Sequence, residues 1–300
     1  MKSKNLICID LGGTKVRVGI VSGKDRSIVG ETIRFDSFDC KTGDELIKRI
    51  ANQIKILLDK NNHKKSDIEG VGIGSPGPLD PFTGIIFETL NIKILRNYPL
   101  KNKLEEAIGL TVFVDNDASC FGLGEQKAGK AKGKKHVIVV TLGTGYGLAY
   151  ILNGAILHGA TGTATEIGRN VYRDGIYEDY ISGRGLKSIH YKLHGEQIEP
   201  IKISEGAFSG DKKCKKTFEE FGKHLAFTLV PIINLLDPEI LIVGGSISAN
   251  WKFFSKSLDK TIRKNIFEQP SKNIIIEKSE LGELATLIGA ASLVEMESIY

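Results

Sequence analysis

Cysteine is scarce in this chain. Cys8, Cys40, Cys120 and Cys214 are the four among 300 residues, far apart and never as Cys-x-x-Cys. That spacing excludes a disulfide framework, a zinc ribbon and a cysteine-rich iron–sulfur site, and a reduced, cytoplasmic protein is the expectation. Long apolar runs are missing too. The longest, such as 225–236, carry polar groups and fall well short of the ~20 residues of a membrane-spanning helix. The opening Met-Lys-Ser-Lys-Asn leads into a short apolar run that already ends at Asp10. A secretory signal needs a longer apolar region and a small-residue cleavage site, so none is expected.

A strong excess of one charge is also lacking. The formal net charge of +5 suits an anionic substrate without demanding nucleic acid. Lysines gather at Lys127, Lys130, Lys132, Lys134 and Lys135, and again at Lys212, Lys213, Lys215 and Lys216. Neither group is interleaved with aromatics as a single-strand binding surface would be, so both read as solvated charge. What remains is the balance of an ordinary globular protein, 41% apolar and 26% charged. Three hundred residues are enough for two domains with sizeable cores.

Hydrophobic periodicity predicts an α/β organisation. Residues 6–9, 16–21 and 28–35 read as strands. Thr42 and Glu45 have the spacing of a capping box, ahead of apolar residues at helical spacing through Leu58. Strands follow at 70–74, 110–114, 137–142, 148–152, 240–243 and 274–277, and helices at 100–109, 215–236, 251–266 and 284–297. A weak internal repeat lays 7–14 over 138–145. In each copy an apolar strand enters a Gly/Thr turn and then a second strand. The repeat suits two similar domains, or simply two β-hairpins with glycine turns.

Four motifs could carry chemistry. Asp10-Leu11-Gly12-Gly13-Thr14-Lys15 joins a strand-end carboxylate to a turn whose amides can cradle phosphate. Asp10 suits Mg²⁺ held through water. Gly143-Thr144-Gly145 offers a matching turn, and Gly244-Gly245 a flat strand end for a base or sugar. Asn116-Asp117 follows a buried strand; the residues alone fit either a general base or a helix N-cap. Residues 124–131 nearly spell a Walker A loop, but Ala131 stands where Mg²⁺ needs a hydroxyl, and the context is helix into strand rather than strand into helix. Gly12-Gly13 leads into a β-branched strand, which excludes a dinucleotide fingerprint.

Taken in order, Asp10–Thr14, Asn116-Asp117, Gly143–Gly145, residues 158–168 and 237–245 resemble the ROK family of repressors and sugar kinases, over about residues 5–295. The resemblance implies a bilobal actin-like ATPase (ribonuclease H-like) fold, two domains around a cleft. The smaller would cover 1–115 plus a C-terminal helix at about 287–300, and the larger 116–286. It implies ATP and Mg²⁺ as cofactors, a free sugar as substrate, and a homodimer. By motif, Asp117 is the expected general base. Asn116, Glu166 and Glu178, with Gly77 and Asn91, are the expected sugar contacts. Asp10, Gly12, Gly13, Thr14, Lys15, Gly143, Thr144, Gly145, Gly244 and Gly245 form the nucleotide side.

Two departures stand out. Arg169 occupies the place of the family's signature His, where it could still donate to a sugar hydroxyl. Residues 170–178 lack the cysteines of the family's zinc motif, so no structural zinc is expected. The turn also continues Gly147-Leu148-Ala149, with fewer glycines than many relatives. The implied reaction is ATP-dependent phosphorylation of a hexose, glucose first. N-acetylmannosamine, fructose, mannose and allose are alternative acceptors, polyphosphate an alternative donor, and a non-catalytic sugar-binding regulator an alternative role. A DNA-binding repressor needs a winged helix ahead of the sugar module. With the phosphate motif at Asp10, none is expected.

Overall fold

The computed structural model describes residues 4–88 and 92–295. In chain order the elements are β1 (Asn5–Leu11), β2 (Lys15–Val21), β3 (Ile33–Asp36), α1 (Gly43–Lys60), β4 (Ile68–Ser75), β5 (Leu79–Asp80), β6 (Ile85–Ile86), β7 (Tyr98–Pro99), α2 (Leu100–Ile108), β8 (Val112–Asn116) and α3 (Asp117–Ala128). There follow β9 (His136–Leu142), β10 (Tyr146–Leu152), β11 (Ala155–Ile156), β12 (Val171–Tyr172), β13 (Gly175–Ile176), α4 (Glu178–Ile181), α5 (Gly183–His194), α6 (Pro200–Phe208) and α7 (Lys212–Leu236). The chain ends with β14 (Ile240–Gly244), α8 (Trp251–Asn265), α9 (Glu268–Asn273), β15 (Ile275–Lys278) and α10 (Leu284–Leu293). It divides into two compact units: Met1–Gly133, Ala149–Thr165 and Glu280–Tyr300 form the first, and Lys134–Leu148 and Glu166–Ser279 the second.

The first unit is built on a sheet of order β3-β2-β1-β4-β8. β1 pairs antiparallel with β2 and parallel with β4, and β4 pairs parallel with β8. Alternation along β1 sorts its side chains. Ile7, Ile9 and Leu11 join Leu46, Ile50 and Ile54 of α1 in one apolar core. Cys8 and Asp10 therefore lie on the opposite face.

That opposite face is covered by α10 and α3, and the fit depends on glycine. A Cβ on Gly72 would overlap the Ala290 carbonyl, one on Gly289 the Cys120 carbonyl, and one on Gly124 the Ala285 carbonyl. The missing side chains let helix backbone lie directly on sheet and on helix. The near-Walker stretch is part of this packing. Glu125 is fully buried in α3, where its carboxylate accepts the amides of Lys130 at 3.0 Å and Leu281 at 3.1 Å.

The second unit holds parallel β9, β14 and β15, with Val137–Thr141 in register with Ile240–Gly244. They belong to a sheet of order β11-β10-β9-β14-β15, and β10 carries the chain from the second unit into the first. α7 packs against α8, α5 and α6, and β12 and β13 form a small hairpin. No helix among the described residues is long and apolar enough to cross a membrane.

Three local departures from the sequence reading have simple causes. The strand expected over 28–35 shrinks to β3, because Arg26 and Gly30 adopt positive φ and only a single bridge joins Val21 to Ile28. The capping pair is displaced: Thr42 Oγ1 accepts the Glu45 amide at 3.2 Å, but the Glu45 carboxylate turns to the Lys41 amide at 2.7 Å. The long helix starts early, at Lys212, because Asp211 caps it by accepting the Cys214 amide at 2.8 Å.

The glycine contacts predict a large stability effect from one methyl group. Gly289→Ala should destabilise the protein by about 2 kcal/mol or more, since the obstacle is backbone. A thermal midpoint within about 2 °C of wild type would overturn this packing argument.

Candidate active site

In the first unit, β1 ends in the Asp10 turn. The Gly12 amide donates to the Lys15 carbonyl at 2.8 Å, and Ser37 Oγ donates to the Gly13 carbonyl at 3.1 Å. Gly12 thus closes the turn, and its amide is not among those of the turn that could cradle phosphate. Thr14 and Lys15 are exposed.

The strand-to-helix junction lies two strands away. Asp10, Gly74 and Asp115 are aligned across β1, β4 and β8, and Ser75 is aligned with Asn116. No loop separates β8 from α3. Asn116 is the N-cap, its side chain accepting the Ala118 amide at 2.8 Å. Asp117 is therefore the first helical residue, and its Oδ1 accepts the same amide at 2.8 Å. Of the two sequence readings of Asn116-Asp117, the structure shows the cap, carried by Asn116 with Asp117 sharing the same amide. Gly77 follows β4 in a loop with a cis Gly77–Pro78 bond. Asn91 lies outside the described residues.

The electrostatics mark Asp10 and Asp117. Burial pushes the Asp10 carboxyl up to about 6, the Asp117 charge adds to the rise, and Arg17 partly opposes it. Arg17 stands opposite Asp10 on β2 and is itself held by Glu283. Burial likewise raises Asp117 above the usual carboxylate range, against the Ala118 amide. Two desolvated carboxylates, with the charge of Asp117 raising Asp10, suit a cation. Among the described residues no three His, Cys, Asp or Glu side chains converge as a metal cage. Asp10 fits Mg²⁺ held through water, since the ion keeps several waters and takes further oxygens from phosphate.

The second unit assembles its own constellation. The Gly143 amide donates to the Gly145 carbonyl at 3.0 Å, closing the turn as Gly12 closes the other, and the Gly143 carbonyl accepts the Gly183 amide at 2.8 Å. Thr144 is exposed at the tip. Gly244 ends β14 in register with Thr141. Gly245 has φ +78 and ψ 174, a conformation left almost wholly to glycine, and a Cβ there would overlap the Leu142 backbone. Glu178 opens α4. Its amide donates to the Gly168 carbonyl at 3.0 Å, and its Oε2 lies 3.3 Å from where a Cβ on Gly145 would be. Gly145, Gly168 and Glu178 are thus neighbours. Arg184 holds Glu178 at 3.0 Å and Asp179 at 3.2 Å. Glu166 and Arg169 are exposed on the segment before β12.

Sequence reasoning missed Arg184, Asp115 and His158 as parts of these sites. Arg184 had a usable signal, lying six residues after Glu178. The His158–Asp115 contact had none, since 43 residues separate the partners.

Residues 6–297 match the ROK family. The chain belongs to that family. It is 31% identical to a glucokinase of Thermotoga maritima, covering 98% of each chain. It is 28% identical to an N-acetyl-D-glucosamine kinase of Pasteurella multocida, over 95% of this chain and 97% of that one. Among solved structures, a ROK family glucokinase of Streptomyces griseus in complex with glucose and AMPPNP superposes with a TM-score of 0.81 at 29% identity, over 97% of this chain and 99% of that one. The fold is accordingly the actin-like α/β fold of ROK sugar kinases.

The Asp10 carboxyl predicts an unusual stability profile. Folded Asp10 holds its proton up to about pH 6, whereas the ordinary value is 3.8. Between these values the folded state binds more protons, so stability falls as pH rises. In metal-free buffer with a chelator, Asp10→Asn should stabilise the ROK protein at pH 7.5 by about 3 kcal/mol, with the gain vanishing near pH 4. Thermal melts showing equal stability at pH 7.5 would refute the burial argument.

Proposed function

We propose that this ROK protein is an ATP-dependent sugar kinase, with glucose the first acceptor to test and Asp117 the general base. The observation that carries the reading is a desolvated carboxylate at the β8–α3 junction. Asn116 supplies the N-cap, and Asp117 shares the same Ala118 amide through Oδ1, a contact that an Asn side chain can also make. A named glucokinase and a named N-acetyl-D-glucosamine kinase among the relatives support the reaction class and place both acceptors in the same panel.

The chemistry asks for alignment and charge neutralisation. Mg²⁺ beside Asp10 would offset the charge of the transferred phosphoryl group. The amides of Gly13, Thr14 and Thr144, outside the two turn-closing bonds, are the backbone donors for phosphate oxygens. Lys15 adds a cation, and Gly244-Gly245 supply a flat rest for the nucleotide. Asn116, Glu166 and Glu178 would hydrogen-bond sugar hydroxyls, joined by Gly77, Asn91 and Arg169. Asp117 accepts the proton of the attacking hydroxyl as its oxygen bonds to the γ-phosphorus and ADP departs.

A coupled assay over glucose, N-acetylglucosamine, N-acetylmannosamine, mannose, fructose and allose tests this directly, with ATP and polyphosphate as donors. Sugar-dependent ADP release is the expected result. Its absence with every acceptor would favour the sugar-binding regulator.

Asp117→Asn should fold normally and lose about 10²–10⁴ in kcat, the range of general-base catalysis. Wild-type kcat should fall on acidification through the raised Asp117 value, since the ionised form is the active one. A folded variant retaining more than about a third of wild-type kcat would remove Asp117 from the mechanism. Glu178→Gln should raise sugar KM about tenfold with little effect on ATP KM, because a charged acceptor adds about 1.5–3 kcal/mol per hydrogen bond. Equal losses for sugar and ATP would assign Glu178 a structural role.

A further inference from the structure

Asp115 is a buried carboxylate that the proposed reaction does not use. It stands at the end of β8, two residues before Asp117, with its side chain 4% exposed. Its Oδ1 accepts the Asn116 amide at 2.7 Å. Its Oδ2 meets Nε2 of His158 at 2.6 Å, and the His158 side chain is 10% exposed. A carboxylate only accepts, so the imidazole carries its proton on Nε2. Charge-assisted bonds of this kind are the short, strong ones.

His158 is itself firmly seated. It follows β11 on a loop where Leu157 donates its amide to the Tyr150 carbonyl at 2.9 Å and Ala164 donates to the His158 carbonyl at 3.1 Å. Gly159 and Gly162 adopt φ +69 and +81, and a Cβ on either would crowd Ala164 or Pro81. The Phe82 ring packs edge-on against the imidazole, 5.7 Å between centroids. A rigid loop therefore presents the ring to Asp115.

From this geometry we infer that His158 is a positioning residue for the phosphoryl-transfer site: through Asp115 it fixes the turn that presents Asn116 and Asp117. The inference rests on the kinase reading above. The bonds run in series. His158 holds Oδ2 of Asp115, Oδ1 of Asp115 holds the Asn116 amide, and Asn116 and Asp117 both hold the Ala118 amide at the start of α3. Losing the first bond frees the Asp115 carboxylate to rotate and releases the Asn116 amide. A displacement of about 1 Å at a reacting group is enough to cost about a hundredfold in rate.

The test compares His158→Gln, whose amide nitrogen can reach the place of Nε2, with His158→Asn, which is too short. Asp115→Asn is measured in parallel, with wild type and Asp117→Asn as references. The readouts are thermal midpoint, kcat, and KM for sugar and for ATP. The expected result is a fall in kcat of about a hundredfold in His158→Asn with ATP KM unchanged, substantial recovery in His158→Gln, and a loss of about tenfold in Asp115→Asn. If His158→Asn fails to fold, Asp115→Asn decides. A folded His158→Asn or Asp115→Asn keeping kcat within about twofold of wild type would overturn the inference while leaving the kinase reading intact, as would a Gln variant no better than Asn. Wild type without any sugar-dependent turnover would overturn the kinase reading, and this inference with it.

Discussion

The first unit depends on how closely α10 and α3 approach each other and the sheet. Gly72, Gly124 and Gly289 each place a backbone where a methyl group would overlap a carbonyl. That contact fixes α3 beneath the sheet and brings its first turn to the end of β8. Because β8 runs into α3 without a loop, Asn116 must serve as the cap and Asp117 must be the first helical residue. The Asp10–Asp117 relation follows from glycine packing on the buried side of the sheet, some distance along the chain from either carboxylate.

Much of this was legible in the sequence, for identifiable reasons. The strands announced themselves through β-branched runs, and α1 through Thr42 and the spacing of Leu46, Ile50, Ile54 and Leu57. Asp10 and Asn116-Asp117 were visible because strand-end carboxylates beside glycine or Asn are distinctive locally. The illegible parts were those set by distant partners. Nothing local says that the Gly12 and Gly143 amides turn inward to close their own turns, or that Glu45 will cap Lys41 rather than Thr42. The break in the 28–35 strand came from backbone at Arg26 and Gly30 whose positive φ overrode a β-branched pattern.

The second unit obeys the same logic with different residues. Gly245 occupies a backbone region closed to other side chains and lies against Leu142, so β9 and β14 end together. The Gly143 turn is then tied to Gly183, and Glu178 is brought beside Gly145 by its bond to Gly168. Sequence order places these residues in three separate motifs. Backbone hydrogen bonds make them one neighbourhood. Arg184 completes it by pairing with both Glu178 and Asp179, a fork geometry that orients a carboxylate better than an ammonium would.

The acidic face of the first unit carries an internal conflict that its surroundings manage unevenly. Asp10 and Asp117 are both pushed toward the neutral form by burial, and Asp10 further by its neighbour. Arg17 opposes this from the adjacent strand, and Glu283 in turn holds Arg17, so the compensation is partial and second-hand. Asp115, one residue from the cap, is treated differently: each of its oxygens has a donor close by. A protein under selection for stability alone would pair Asp10 and Asp117 as well as it pairs Asp115. Leaving two carboxylates under-compensated where a cation would relieve them, while fixing the third rigidly beside them, is a pattern expected of a cation-binding site.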